Sequence, residues 1–500
     1  MEASGIVSDL GELREPVTAR LRSLGEVVRR IWDRDHTVWR PDPTEIADRL
    51  GWLEAVERSR DRLPEIRALV EGARSDGLTR TLLLGMGGSS LAPEVIRRTF
   101  PGSPFDLDVL DSTHPDAVAR AERGLGRTLV VVASKSGTTI ETRSHLARFL
   151  DLTGDPARFV AITDPGTPLA EEARRLGFRA VVEAPPDVGG RFSALTVFGL
   201  LPAALCGVDP ELLLVEAARM VARCLPDVPV EANPAAVLGA VMAEAALSGR
   251  DKLTIRASGH AAPLGPWLEQ LVAESTGKDG TGILPVDAEP GAPAYADDRL
   301  FLGIGEVPAD GPWVSVPFER PADLGGLFFL FELATAVAGH VLGIQPFDQP
   351  DVQAAKDRTA QVLDAGGAPE EPEGDLDDLL GMVKPGDYVA VQAFVDPTPE
   401  AWDALQAARA RILEETGAAT TLGFGPRYLH STGQMHKGGP PTGVFVQVLD
   451  PAGTDVPIPG RPFTFGGLIA AQAAGDLAAL RAAGRRVARV SREALEAWPG

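Results

Sequence analysis

From Thr79 onward the chain alternates short β-rich runs with helical stretches, and this alternation limits its possible folds more than any other feature. The β-rich runs are TRTLLLGMG, LDVLDS, TLVVVAS, RFVAITD and RAVVEAP. Helix-patterned segments at 90–99, 115–123, 138–150 and 167–176 separate them. Strands that read as continuous apolar runs are covered on both faces, so βα units of this length predict a parallel sheet between helical layers. A first α/β domain is expected at 75–230, after a helical N-terminal segment at 1–74. In that segment Leu21, Leu24, Val27, Val28 and Ile31 recur at helical spacing. A second βα set follows at 231–363, with strands KLTIRAS, GILPV, RLFLGIG and WVSVPF and a long helix at 323–343. The acidic, Gly- and Pro-rich stretch 364–378 reads as a linker or exposed loop. A further α/β region is expected at 379–500, with strands DYVAVQAFV, ATTLGFG, GVFVQVL and RRVARVS and helices at 399–416 and 466–483.

Bulk properties narrow the partners. The net charge of −22 argues against a nucleic-acid groove or an anionic membrane surface, but leaves room for a locally basic site. The N-terminus is acidic and lacks a hydrophobic core, so no signal peptide is expected. No apolar run approaches the ~20 residues of a membrane span. The two cysteines, Cys206 and Cys224, lie in helix-like surroundings and read as reduced, buried thiols of a cytoplasmic protein. No His, Cys or carboxylate grouping has metal-ligand spacing, so no metal is expected.

Six segments carry chemistry. In LVAESTGKDG, Glu274 ends an apolar helix at a Ser-Thr-Gly stop, where partial desolvation would raise its pKa toward that of a base working on carbon. SKSGTTIET follows a strand and opens a helix. Ser134, Ser136, Thr138 and Thr139 there surround free backbone N–H groups, a place for phosphate, although an ordinary Ser/Thr cap is the plain alternative. GMGGSS ends the first strand; its third dinucleotide-type glycine is missing, with Ser90 in its place, so a sugar-binding turn is favoured over a nucleotide loop. In DVGGRFSAL, Gly189 and Gly190 set Arg191 at the start of an apolar helix, where its planar donors suit an oxyanion. In PFDQPDVQAAK, Gln349 and Lys356 are seven positions apart and are expected to share one helix face. LHSTGQMHKGGPPTG adds His430 and His436 in a polar, Gly-rich loop of the kind that carries function. The remaining histidines read as structural or solvent-facing, with His340 in an apolar helix.

Together these segments resemble phosphoglucose isomerases. DVGGRFS and GHVLGIQPFDQPDVQAAK are similar to that family's two signatures, SKSGTTIET to its phosphate loop and AESTGK to its catalytic-glutamate segment, in the family's order from about residue 75 to 356. IWDRDHTVW and LHSTGQMHKGG resemble the isomerase half of bacterial transaldolase–isomerase fusions. No transaldolase barrel is expected here, since ~70 residues precede the first sheet and a barrel needs at least ~200.

The resemblance implies two doubly wound parallel-sheet domains of the sugar-isomerase type and a cofactor-free, metal-free enzyme. It also implies a hexose 6-phosphate substrate and a homodimer. Glu274 would shuttle a proton through a cis-enediol, and Arg191 would stabilise the enediolate. Ser134, Lys135 through its backbone, Ser136, Thr139 and Thr142 would hold the phosphate. Gly88 and Ser89 would contact the sugar, Gln270 would line the same face, and Gln349 and Lys356 would reach ring and hydroxyl oxygens. The family's ring-opening histidine precedes the Gln/Lys signature and comes from the neighbouring subunit. His430 is the candidate here and His436 the second, although both follow the signature. Asp351 and Gln353 stand where the family has Gly and Glu. Two other readings are a sugar-phosphate-binding regulator without catalysis and an isomerase that also accepts mannose 6-phosphate.

Overall fold

The computed structural model describes residues 4–102, 104–364, 374–450 and 453–500. A short strand, β1 (Val7–Asp9), precedes the helix Arg14–Trp32, whose stripe Val17, Leu21, Leu24, Val28 and Ile31 is buried. The first sheet holds β2 (Arg80–Gly85), β3 (Asp106–Leu110), β4 (Thr128–Ala133), β5 (Phe159–Thr163) and β6 (Ala180–Glu183), all parallel, in the order β3-β2-β4-β5-β6. The central strands β4 and β5 are buried along their whole length, as two-sided coverage demands. The chain moves from β2 to β3 on one side and returns to β4 on the other. The order therefore reverses beside β2, and the carboxyl ends of β2 and β4 face the crevice where open α/β sheets bind ligands. The loops after these strands are GMGGSS and SKSGTTIET.

The second sheet comprises β7 (Lys252–Ala257), β8 (Leu284–Val286), β9 (Arg299–Ile304) and β10 (Trp313–Val316), in the order β1-β10-β9-β7-β8. β1 pairs antiparallel with β10, Ser8 opposite Val314, so the N-terminal segment read as wholly helical also supplies an edge strand. Three residues, largely exposed, carry too little pattern to be read as a strand.

The helix Leu324–Leu342 is buried through Gly339. Pro321–Leu342 is long and apolar enough to cross a membrane, which corrects the expectation that no run approaches that length, but 89% of its most apolar window is buried inside the protein. Phe328, Phe329 and Phe331 on this helix join the principal core with the N-terminal helices and one face of the first sheet. Each such side chain contributes roughly 1.5–3 kcal/mol on burial.

The third sheet holds β11 (Tyr388–Phe394), β12 (Ala419–Phe424), β13 (Gly443–Leu449) and β14 (Arg486–Ser491), all parallel, in the order β12-β11-β13-β14. It is not a free appendage. Tyr388, Ala390 and Phe445 pack with Ala273, Leu284 and Val286 of the second unit, and Phe465 and Leu468 pack with Leu82, Leu84 and Val130 of the first sheet. Most of the expected linker 364–378 lies outside the described residues, but its last part is ordered, in the helix Leu376–Leu380 capped by the Asp375 side chain.

Candidate functional site

Glu274 lies in the last turn of the helix Gly265–Thr276, its side chain 13% exposed. Its surroundings are more polar than the apolar helix suggests. Oε1 is 3.1 Å from Arg191 Nη1, and Oε2 accepts from Gln270 Nε2 at 3.0 Å. Arg191 sits in the turn Gly190–Phe192, is 4% exposed, and spends all of its donors on fixed partners. Nε donates to Ser275 Oγ (2.9 Å), Nη1 to Gln349 Oε1 (2.9 Å), and Nη2 to the carbonyls of Pro346 (2.7 Å) and Asp348 (2.9 Å). A guanidinium held this way is preorganised, which a surface arginine is not. Gly88 is required by the same geometry, because a Cβ there would lie 2.0 Å from the Gly190 carbonyl oxygen. The Gly87–Ser89 turn and the Arg191 turn thus touch through bare backbone. Gly87, at φ +55°, likewise faces Gln270 and the His430 carbonyl.

Lys278, which the sequence reading did not single out, supports this cluster. Its buried ammonium donates to the carbonyls of Gln345 (2.7 Å) and Asp348 (2.5 Å) and to Asp348 Oδ1 (2.5 Å), pinning the turn that receives Arg191. Burial, and next the Arg191 charge, push its pKa down to about 8.

The phosphate-type loop opens the helix Ile140–Thr153. Ser134 Oγ pairs with Thr139 Oγ1 at 3.0 Å and accepts from the Gly137 N–H at 3.2 Å, while Ser136 Oγ pairs with Thr138 Oγ1 at 2.9 Å. Lys135 turns its ammonium away to Asp164 (2.5 Å) and the Pro186 carbonyl (3.0 Å), leaving only its backbone for the loop. The Thr142 hydroxyl is buried without a protein partner.

A cavity of about 400 Å³ lies against this loop, lined by Ser136, Thr138, Thr139, Lys356, His430 and Lys437 among others. Gln349 and Lys356 do not share a helix face as expected. The helix is Pro350–Asp364, so Gln349 precedes it and turns to Arg191, while Lys356 lies a turn and a half along and lines the cavity. The Glu274–Arg191 pair, Gly88 and Ser89 are not part of that cavity wall. Gln270 joins the two groups, its Nε2 donating both to Glu274 and to the His430 carbonyl (2.8 Å).

His430 Nε2 is 2.9 Å from Glu141 Oε1, a contact made within one chain. Glu141 also accepts from Gln472 Nε2 at 2.7 Å, and Gln472 Oε1 accepts from Thr113 Oγ1 at 2.7 Å. Burial works to raise the Glu141 pKa, but the His430 charge and hydrogen bond outweigh it and hold the carboxyl below its usual range. Glu141 stands inside the quoted loop motif, yet a carboxylate in a helix's first turn reads from sequence as a dipole partner only. Gln472 lies on the distant helix Phe465–Ala482 and has no local signal. His436 is elsewhere: it packs among Tyr388, Tyr428 and Phe445, bonds Tyr388 Oη through Nδ1 (3.1 Å), and burial pushes its pKa well below the usual value. The departure at Asp351 has a partner in the same C-terminal segment, since Gln434 Nε2 donates to Asp351 Oδ2 (2.7 Å) and Gln434 Oε1 accepts from the Asp351 N–H (3.0 Å).

Residues 53–284 match the family model described as phosphoglucose isomerase. A glucose-6-phosphate isomerase of Rubrobacter xylanophilus is 30% identical over 390 residues, covering 63% of this chain and 89% of that protein. Among solved structures, a hypothetical protein of Thermus thermophilus superposes with a TM-score of 0.61 at 25% identity, over 72% of this chain and 99% of that one. A glucose-6-phosphate isomerase of Chlamydia trachomatis shares the fold with a TM-score of 0.58 at 19% identity, over 70% of this chain and 86% of that one. With signatures, fold and relatives in agreement, this chain belongs to the phosphoglucose isomerase family.

Proposed function

We propose that this chain interconverts glucose 6-phosphate and fructose 6-phosphate, with Glu274 moving the proton between C2 and C1 through a cis-enediol. The observation that carries the reading is the Glu274–Arg191 contact at 3.1 Å, a carboxylate base and an oxyanion-stabilising guanidinium locked together on separate elements. Gln270 and Gln349 orient this pair from either side. The phosphate would lie on the Ser134–Thr139 loop, where Ser134, Ser136, Thr139, Thr142 and the backbone of Lys135 supply donors beside a helix N-terminus. Gly88 and Ser89 would meet the sugar.

Ring opening falls to His430 with Lys356. An ionised Glu141 accepts from His430 Nε2–H, which leaves Nδ1 to exchange a proton with the ring oxygen or its neighbouring hydroxyl. Lys356 adds a positive charge on the same cavity wall. A regulator without catalysis is the weaker reading, because it gives the Glu274–Arg191 pair no task.

The test is a coupled assay on the purified protein, with fructose 6-phosphate as substrate, EDTA present, and glucose 6-phosphate read by a dehydrogenase. EDTA-resistant turnover is expected; binding of the sugar phosphate without turnover would overturn the proposal. Mannose 6-phosphate, assayed in parallel, decides the breadth of substrate.

A further inference from the structure

The third sheet carries a second cavity, of about 540 Å³, at the carboxyl ends of β11 and β12. The chain runs from β11 to β12 on one side and returns to β13 on the other, so the strand order reverses beside β11, as it does at the isomerase crevice of the first sheet. The helices Leu91–Thr99 and Gly265–Thr276 supply further lining, so three sheet units contribute walls.

Gln392 on β11 marks it as a built site. The residue is 1% exposed and lines the cavity, and neither its Oε1 nor its Nε2 has a protein partner. A buried amide left unpaired costs roughly 1–3 kcal/mol, which a ligand offering both a donor and an acceptor would recover. The half-buried rings of Trp402 and Phe424, with centroids 6.2 Å apart and planes tilted by 31°, add an apolar wall. The charges balance among themselves. Arg427 is paired with Glu94 and Asp111, and Arg98 stands 3.5 Å from Glu94. On the facing wall, burial and then the neighbouring Asp287 push Glu269 up to about 8, so near neutral pH it holds a proton. Asp287, also raised by burial, to about 6, carries the remaining negative charge opposite Arg409.

We propose that this cavity binds an uncharged, hydroxyl-rich ring, that is, a free sugar, with Gln392 and the Glu269/Asp287 pair bonding its hydroxyls and Trp402 against its ring face. An amide and a carboxyl pair offer donors and acceptors side by side, which is what adjacent hydroxyls require. A mostly apolar wall with a few convergent polar groups is the usual form of a small-molecule site. The occupant would also touch the segment that carries His430: Arg427, Tyr428 and Thr432 face this cavity, while Leu429, His430 and Lys437 face the phosphate-loop cavity. This inference does not depend on the isomerase reading.

The experiment is calorimetric titration of the full chain with glucose, maltose and trehalose, each on the wild type, Gln392→Leu and Trp402→Ala. The melting temperature of each variant, compared with the wild type, serves as the folding check. Saturable, millimolar binding of at least one sugar is expected, weakened about tenfold or more in both variants, equivalent to about 1.4 kcal/mol. Absence of saturable binding by all three sugars, or binding unchanged in both variants, would overturn the proposal.

Discussion

At the scale of single residues, the candidate site is built from side chains whose partners are fixed in advance. Glu274→Gln preserves shape and removes the base. Sugar-phosphate binding should persist while kcat falls about 10²–10⁴-fold, the usual range for a general base; a variant with near wild-type turnover would remove Glu274 from that role. Gly88→Ala places a methyl group 2.0 Å from the Gly190 oxygen. Overpacking there should cost about 1–3 kcal/mol and shift the Arg191 turn, visible as a lowered melting temperature together with a lowered kcat. The residue types at Glu274, Arg191 and the hydroxyl loop were legible because short motifs carry them. Lys278 and Glu141 were quoted inside those motifs and still passed over, because their importance lies in what they touch and not in local spacing.

At the scale of elements, the turn Gln345–Asp348 is the hinge between chemistry and stability. Only a charged Lys278 can donate to both carbonyls and the Asp348 carboxylate. With its pKa lowered to about 8 from 10.5, the ammonium is lost as pH rises through about 8, so kcat/KM should fall on that limb. In Lys278→Arg, which stays charged, the limb should move to higher pH; an unmoved limb would assign it to another group. Stability responds in the opposite sense. Between about 8 and 10.5 the unfolded chain binds more protons at this site than the folded one, so this group's contribution to unfolding free energy grows with pH in that window. Element types were the most readable layer: the expected helix at 399–416 is Pro399–Thr416, and every expected strand has a counterpart. Misplacements came where tertiary pairing overrides local pattern, as in β1, or where a proline sets the helix start, as at Pro350 between Gln349 and Lys356.

At the scale of the whole molecule, the C-terminal unit places His430 on the wall of the cavity beside Ser136, Thr138 and Thr139, where the resemblance implies a histidine from a neighbouring subunit. Its hold on the rest is extensive, through Gln472 to Glu141 and Thr113, Gln434 to Asp351 and the Gly277 carbonyl, and the Lys437–Asp476 ion pair (2.6 Å) behind the cavity wall. Mixing two inactive variants, Glu274→Gln and His430→Ala, discriminates between the arrangements. If His430 serves its own chain, every site in any mixed assembly keeps one defect and co-expression restores nothing. Recovery of turnover would show that the histidine crosses between chains.

The sequence by itself determined the parallel α/β plan, the order of its strands and helices, and the identity of the chemical groups. Hydrophobic periodicity, glycine turns and helix-start motifs act over a few residues and leave their imprint there. Only the tertiary structure decided that Arg191 is saturated by five contacts to two other segments, and that His430 rather than His436 meets a carboxylate. Those outcomes depend on contacts between residues as far apart as Glu141 and Gln472, and such contacts are set by how sheets and helices bury one another's apolar faces, which no local pattern records.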